Sequence, residues 1–412
     1  MTNNNQQGHH PIDVNQFLDS HKMIYAKLGF GETSTTWLCS NRDYDTWEAV
    51  KVLSGDYYYG NELYPDMRLA GVLKEKDMGF RAEHMGFGAE HMGFGAEDKY
   101  FEKHHICLPS DQFGFKGPNG SHTCLVLPIL GPRLRFDTTR PILTLKKHLY
   151  HVAEGLRFLH GHKICHRDLR ESNVYLKPPD IYYDSDRVAT YLKDFRPEIS
   201  SIEEPTANTP KYWVPPQTFP AKAKDQIVIT NFKYWMVEND PHDDWEGPAA
   251  AYKAPEALLQ ERMNHSTDVW AFAHMILSVR AGRYVFKGLT AAEVAWRMEA
   301  VLGPCPEQYG SSAGQLFVNK SKVERERERL QKKYGYEDPL EGLVRGNPRI
   351  EVSPSTEGTP TDTNAEPTTQ SHIPNDEASV LLDLLRKCFK YEESERLTLD
   401  GMMQHEWFNE VR

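Results

Sequence analysis

The densest chemistry in the chain lies in His166-Arg167-Asp168-Leu169-Arg170-Glu171-Ser172-Asn173, which offers a carboxylate at Asp168 and, five residues on, an amide at Asn173. In phosphoryl transfer a carboxylate accepts the proton of the attacking hydroxyl, and an amide oxygen holds a magnesium ion that offsets phosphate charge. A second group lies near the start. Gly29-Phe30-Gly31-Glu32-Thr33-Ser34 falls between two strand-like runs, so its glycines sit in a hairpin whose backbone can approach phosphate oxygens. Ser34 stands where a third glycine would complete G-x-G-x-x-G, and a plain hairpin turn reads equally well. Further on, Ala49-Val50-Lys51-Val52-Leu53 sets one lysine inside an apolar strand. Turned inward, Lys51 needs an anionic partner, either a nucleotide phosphate or a carboxylate; turned outward, it is a solvated ammonium.

These residues need elements to hold them. Met23 to Leu53 carries strand-like segments broken by the Gly-rich turn, which predicts an antiparallel sheet and a β-rich first lobe. From Leu145 the apolar positions Leu145, Leu149, Val152, Leu156 and Leu159 follow alternating steps of four and three, one face of a long helix that leads to His166. Trp270 to Val279 is apolar nearly all round and predicts a buried helix, and Val380 to Cys388 is amphipathic. Between residues 76 and 96 the heptapeptide Glu-His-Met-Gly-Phe-Gly-Ala occurs twice in tandem after a related segment. Its glycines argue against a coiled coil; a duplication in a surface loop or frayed helix end is a simpler reading than a Met/Phe docking patch. Residues 177–226 and 346–376 are rich in Pro with Ser, Asp or Thr and read as insertions, while Glu324 to Arg329 alternates Glu and Arg as a solvated helix does.

The segment around Asp168 matches the protein-kinase catalytic loop H-R-D-L-x-x-x-N at every fixed position. Tyr252-Lys253-Ala254-Pro255-Glu256, Ser266-Thr267-Asp268-Val269-Trp270, Arg396 and His405-Glu406-Trp407-Phe408 follow in the order those kinases have. The chain therefore resembles the eukaryotic protein kinases over residues 23–408, and most of all the SR-protein kinases and their fungal relatives. The latter likeness rests on Gly29-x-Gly31-x-x-Ser34-Thr35-x-Trp37-Leu38, the long Pro-rich insertion, and Leu302-Gly303-x-x-Pro306.

The resemblance implies an α+β, bilobal fold, with a polar arm over 1–22, a small β-rich lobe over 23–127 and a larger helical lobe over 128–408. It implies ATP and Mg2+ as cofactors and a protein substrate, with serines in Arg-rich segments. Gly29, Phe30, Gly31 and Glu32 would lie over the nucleotide, Lys51 on its α/β phosphates, and Leu127 in the linker that contacts adenine. Asp168 would be the base, Asn173 a magnesium ligand, and Arg170 would contact phosphate with a geometry different from the usual lysine. Glu256 and Arg396 would form a buried ion pair. The partner of Lys51 is Glu62 or Asp66, both expected in the helix after that strand, and longer reach favours Glu62.

The pattern departs at the second metal ligand. The family has an aspartate after a short apolar strand; Ile227-Val228-Ile229-Thr230-Asn231-Phe232-Lys233 has an amide there and a lysine in place of glycine. Asn231 is a weaker ligand for a hard dication than a carboxylate. Asp194-Phe195-Arg196 keeps an aspartate but follows a poorer strand. Two readings result: a serine/threonine kinase with a degraded metal site, or a kinase-like scaffold that binds nucleotide or protein and transfers phosphate poorly. Between Asn231 and Glu256 there is no Ser or Thr to phosphorylate, and Asp240, Asp243, Asp244 and Glu246 offer a carboxylate that could pair with Arg167 instead.

Composition narrows the classes further. Lys+Arg 48 against Asp+Glu 59 gives a net charge of −11, which disfavours nonspecific nucleic-acid binding and agrees with basic partners. With 39% hydrophobic residues over 412 positions the chain can bury large cores. Its apolar runs are too short to cross a bilayer. Six cysteines without zinc-type spacing read as reduced thiols of a cytoplasmic or nuclear protein.

Overall fold

Alternation of apolar and polar residues from Lys22 onward builds a five-stranded antiparallel sheet, ordered β1-β2-β3-β5-β4, in the computed structural model of the chain. The structure describes residues 10–31, 33–55, 59–60, 62–78, 96–117, 119–137, 140–178, 188, 200–201, 212–213, 226–238, 250–259, 263–288, 290–306, 320–346 and 373–412. Glu32, Asp194, residues 79–95 of the repeat region, and Asp240, Asp243, Asp244 and Glu246 lie outside them.

The strands are β1 (Lys22–Phe30), β2 (Ser34–Asn41), β3 (Thr46–Leu53), β4 (Asp111–Gly117) and β5 (Gly120–Leu127). Register pairs Lys51 with Thr36 and Leu125, and Ala49 with Leu38 and Leu127, so the period of two puts Ala49, Lys51 and Leu53 on one face. Helix α1 (Pro65–Met78) is seated on that face, where Tyr64 and Met67 pack with Leu53 and Leu125. On the opposite face Trp37, Cys39, Val50, Val52 and Cys124 form a core that Ile12 and Leu18 close. The arm over 1–22 is thus not simply polar. Its described part from His10 onward runs beside β1, with Asn15 N–H on the Ile24 carbonyl at 2.8 Å, because two isolated apolar residues suffice to seal the sheet.

Helix α2 (Ala96–Lys103) leads into β4, and β6 (Ile164–Cys165) and β7 (Val174–Lys177) flank the loop bearing Asp168. Within the Pro-rich insertion β8 (Ser200–Ser201) pairs with β9 (Tyr212–Trp213), and Val188 is buried with Ala26, Leu38 and Trp47. The insertion is narrower than 177–226: Lys177 ends β7, and Gln226 opens β10 (Gln226–Ile229) opposite it.

The chain divides into two compact units, Met1–Arg133 with Val174–Lys233, and Leu134–Asn173 with Tyr234–Arg412. The β7/β10 hairpin joins the first unit rather than following a single cut after 127, because Ile229 exchanges backbone hydrogen bonds with His105 and Cys107, and Leu176 with Gly131 and Pro132.

In the second unit α3 (Ile142–Gly161) buries Leu145, Leu149, Val152, Leu156 and Leu159, the five positions its periodicity marks. Strand β11 (Met236–Val237) pairs with β6. After α4 (Pro255–Leu258), α5 (His265–Ala281) is buried almost throughout; Asn264 caps its start, accepting from Ser266 N–H at 2.8 Å, and Gly282 ends it at φ 64°. Among the described residues the further helices are α6 (Ala291–Leu302), α7 (Lys320–Tyr334), α8 (Pro339–Arg345), α9 (Asn375–Cys388) and α10 (Leu399–Gln404). The alternating Glu/Arg run lies on α7 and is mostly exposed, except that Glu326 turns inward and accepts from two of the guanidinium nitrogens of Arg329, each at 2.7 Å. All six cysteines are free thiols.

Candidate active site

Strand β6 delivers the chain to a turn in which Arg167 adopts φ 68°, a left-handed conformation that costs energy for a non-glycine residue. A buried carboxylate holds that turn in place. Asp268, 0% exposed in the first turn of α5, accepts His166 N–H on Oδ2 at 2.8 Å and Arg167 N–H on Oδ1 at 2.9 Å. His160 Nε2 lies 3.0 Å from Oδ2. Burial alone would raise the Asp268 carboxyl, but the hydrogen bond and charge of His160, followed by His166, bring it below its ordinary value. Asp268 appeared in the sequence only as part of a motif. A lone carboxylate at the start of an otherwise apolar buried helix is the signal that marks it, because such a group needs donors.

Asp168 follows, 2% exposed, with its own N–H donated to His166 Nδ1 at 3.1 Å. Its carboxylate meets Asn173 Nδ2 on Oδ2 at 3.0 Å and Arg170 Nε on Oδ1 at 3.2 Å. Asn173 Nδ2 also donates to the Asp168 carbonyl at 2.7 Å, so the amide nitrogen faces Asp168 and Oδ1 is the atom suited to a cation. The local 3-10 turn Glu171–Asn173, closed by Asn173 N–H on the Arg170 carbonyl at 2.9 Å, makes this geometry possible. Three of the residues marked in the sequence, Asp168, Arg170 and Asn173, are therefore brought together. Further along the second unit, Arg396 clasps Glu256 through two parallel hydrogen bonds of 2.9 and 3.0 Å, with both side chains buried.

The other marked residues belong to the first unit. Gly29 and Phe30 end β1, and Gly31 closes a tight hairpin by donating its N–H to the Ser34 carbonyl at 2.8 Å. A Cβ added at Gly29 or Gly31 would meet nothing within 4 Å, so neither glycine is required by packing. Phe30 is exposed, with the Lys27 ammonium 5.3 Å from its ring. Lys51 lies half-buried in the middle of β3, and Leu127 ends β5 on the same face. Asn231 follows the fully buried Ile227, Val228 and Ile229 and adopts φ 65°, which asparagine tolerates better than most residues.

Asp66 bears on the partner of Lys51. It is buried in the first turn of α1, and its Oδ2 accepts Phe232 N–H at 3.1 Å. Glu62 is exposed and precedes α1, so it does not lie in the helix where it was expected. The helix starts later than expected because Pro65 occupies its first position.

The chain is similar to known protein kinases. The model of the protein kinase domain family matches residues 246–408. A serine/threonine-protein kinase SRPK of Physarum polycephalum is 24% identical over 98% of this chain and 89% of its own length. Protein kinase dsk1 of Schizosaccharomyces pombe is 27% identical over 41% of the chain, and human SRSF protein kinase 3 is 26% identical over 42%. The chain spans 29% of each of those two proteins. A solved kinase-domain crystal structure superposes with a TM-score of 0.56 at 15% identity, covering 98% of this chain and 99% of that one, which shows the fold. The fold is that of the protein kinases, α+β with a β-rich first unit and a helical second. Among protein kinases the relatives it matches include SR-protein kinases, to which the chain is similar.

Proposed function

We propose that the chain is an ATP-dependent serine/threonine protein kinase of the SR-protein-kinase kind, acting on hydroxyls in Arg-rich protein segments. The observation that carries this reading is the clasp of Asp168 by Asn173 and Arg170 on a turn pinned by Asp268. Asp168 accepts the proton of the substrate hydroxyl as it attacks the γ-phosphate, and Arg170 stabilises charge beside it. Lys51 takes the α/β phosphates, oriented by Asp66, and α1 packs on the face of the sheet that bears Lys51. Gly29, Phe30, Gly31 and Glu32 cover the nucleotide, and Leu127 contacts adenine. The kinase domain spans 23–408, with residues from His10 sealing its sheet.

Magnesium, when bound, would offset the phosphate charge, and the resemblance assigns to it Asn173 of the second unit and, separately, Asn231 of the first. Both offer neutral amide oxygens, a donor set that fits a weakly held dication. This is what favours a second reading, a scaffold that binds nucleotide but transfers phosphate poorly. The free thiols support a cytoplasmic or nuclear location, and no helix among the described residues is long and apolar enough to cross a membrane. The net charge of −11 supports basic protein substrates over nucleic acid.

The test is a thermal shift of the full chain with ATP, with and without Mg2+ or Mn2+, followed by phosphate incorporation into an Arg-Ser peptide. Stabilisation with transfer supports the kinase, stabilisation without transfer the scaffold, and no shift rejects both.

A further inference from the structure

Glu171 lies three residues beyond Asp168 and opens the 3-10 turn that ends at Asn173. Its carboxylate is heavily engaged. Oε2 accepts the hydroxyl of Tyr252 and that of Ser278 at 3.3 Å, and Oε1 accepts the hydroxyl of Tyr284 at 2.9 Å. These donors come from the 3-10 turn Ala250–Tyr252, from the last turn of α5, and from the segment that follows α5.

Tyr252 is 8% exposed, and its ring stacks on that of the fully buried His274 at 4.5 Å and 23°. His274 Nε2 in turn accepts Val285 N–H at 3.1 Å. Directly after Tyr252 come Lys253, Ala254, Pro255 and Glu256, the last fixed by Arg396. Burial, and then the Glu171 charge, push the Tyr284 hydroxyl up to about 12, and the same two causes push that of Tyr252 up as well. Burial pushes His274 down to about 3, so it is neutral. Both phenols stay donors and the ring beneath Tyr252 stays uncharged at neutral pH.

We infer that Glu171 is a positioning residue which couples the loop of Asp168 and Asn173 to the segment 250–256, so that both are held without a phosphorylated side chain. It acts through Asn173, whose turn it opens, and through Tyr252. The absence of Ser and Thr between Asn231 and Glu256 suits this arrangement, since a carboxylate already within the loop supplies the anion. The inference deepens the kinase reading and rests on it for its kinetic consequence.

The experiment compares full-length wild type with Glu171→Ala, Glu171→Gln and Tyr252→Phe. Hydrogen–deuterium exchange should rise about tenfold in both 164–175 and 250–258 in Glu171→Ala, and less in Tyr252→Phe, with α3 unchanged. In phosphate transfer to an Arg-Ser peptide, kcat of Glu171→Ala should fall about tenfold, while KM for ATP stays within twofold. Glu171→Gln, whose amide oxygen still accepts a hydroxyl, should recover most of both. Exchange that rises in one segment only, or throughout the second unit, would overturn the coupling; wild-type kcat in Glu171→Ala would overturn the positioning role. If Glu171→Ala does not fold, Tyr252→Phe decides: a smaller rise in exchange in both segments supports the coupling, and a rise in one or neither overturns it. Wild type that transfers no phosphate would reject the kinase reading instead, and exchange would still decide the coupling.

Discussion

The turn that carries Asp168 and the turn that carries Asn231 both follow a short buried strand, and each has one non-glycine residue in the left-handed region, Arg167 at φ 68° and Asn231 at φ 65°. Each is pinned by a buried aspartate from the first turn of a helix: Asp268 accepts from His166 and Arg167, and Asp66 accepts from Phe232. They differ in the charge they present. The first turn keeps its carboxylate, Asp168, clasped by Arg170 and Asn173, whereas the second has an amide, Asn231. The two turns thus share a backbone scaffold and differ in the group it presents, a carboxylate on one and a neutral amide on the other, so shape and charge can be varied separately.

The sharpest way to break this comparison is Asp168→Asn. The amide can keep a contact with Asn173 but cannot accept a proton, so peptide phosphorylation should fall about 10²–10⁴-fold with ATP-induced stabilisation intact. Retained turnover would show that the charged turn is not the catalytic one.

Asp268 is the next test. Asp268→Ala leaves two N–H groups of a left-handed turn without their acceptor in a dry site, and should cost about 3 kcal/mol or more in denaturant-induced unfolding. A loss below about 1 kcal/mol would mean that the turn holds itself. Because the Asp268 carboxyl lies below its ordinary value in the folded chain, its contribution is present above the unfolded carboxylate range and is lost as pH falls through the folded value. The stability gap between wild type and Asp268→Asn should accordingly narrow as pH falls below about 4.

Much of this architecture was legible in residue order, and the exceptions have physical reasons. The alternation through β1 to β3 and the steps of four and three in α3 are long periodic signals, and the structure follows both. The roles of Ile12 and Leu18 were not legible, because two apolar residues in a polar arm carry no period. Glu326 was misjudged for a related reason: in an alternating Glu/Arg run nothing marks which carboxylate faces inward, and only the packed helix selects it. Within the candidate site, Asp168, Arg170 and Asn173 were readable because one tight turn fixes them at short range. Asp66 and Asp268 act on turns far along the chain, and spacing does not encode such pairings.

Asn231→Asp should sharpen the comparison by giving the second turn the charge of the first. With the backbone already at φ 65°, which aspartate also tolerates, little should change except the donor. ATP affinity measured calorimetrically at saturating Mg2+ should tighten about tenfold over wild type, roughly 1.4 kcal/mol, and be unchanged in EDTA. Equal affinity with metal would mean that Asn231 is not a ligand, and the scaffold reading would lose its main support.

The smallest expected effect separates two carboxylates. Asp66→Asn keeps an oxygen that can accept Phe232 N–H, so the second turn should survive with a loss of about 1 kcal/mol or less in unfolding free energy. What the substitution removes is charge on the face of the sheet that bears Lys51, and if Asp66 orients that lysine, KM for ATP should rise by a few-fold, the scale of a partly exposed ion pair. Glu62→Gln changes an exposed side chain ahead of α1 and should leave KM within error. A rise in KM for Glu62→Gln with none for Asp66→Asn would restore the assignment by reach. It would also mean that the burial of Asp66 serves the Asn231 turn alone, making the two pinned turns alike in structure and unlike in every chemical respect.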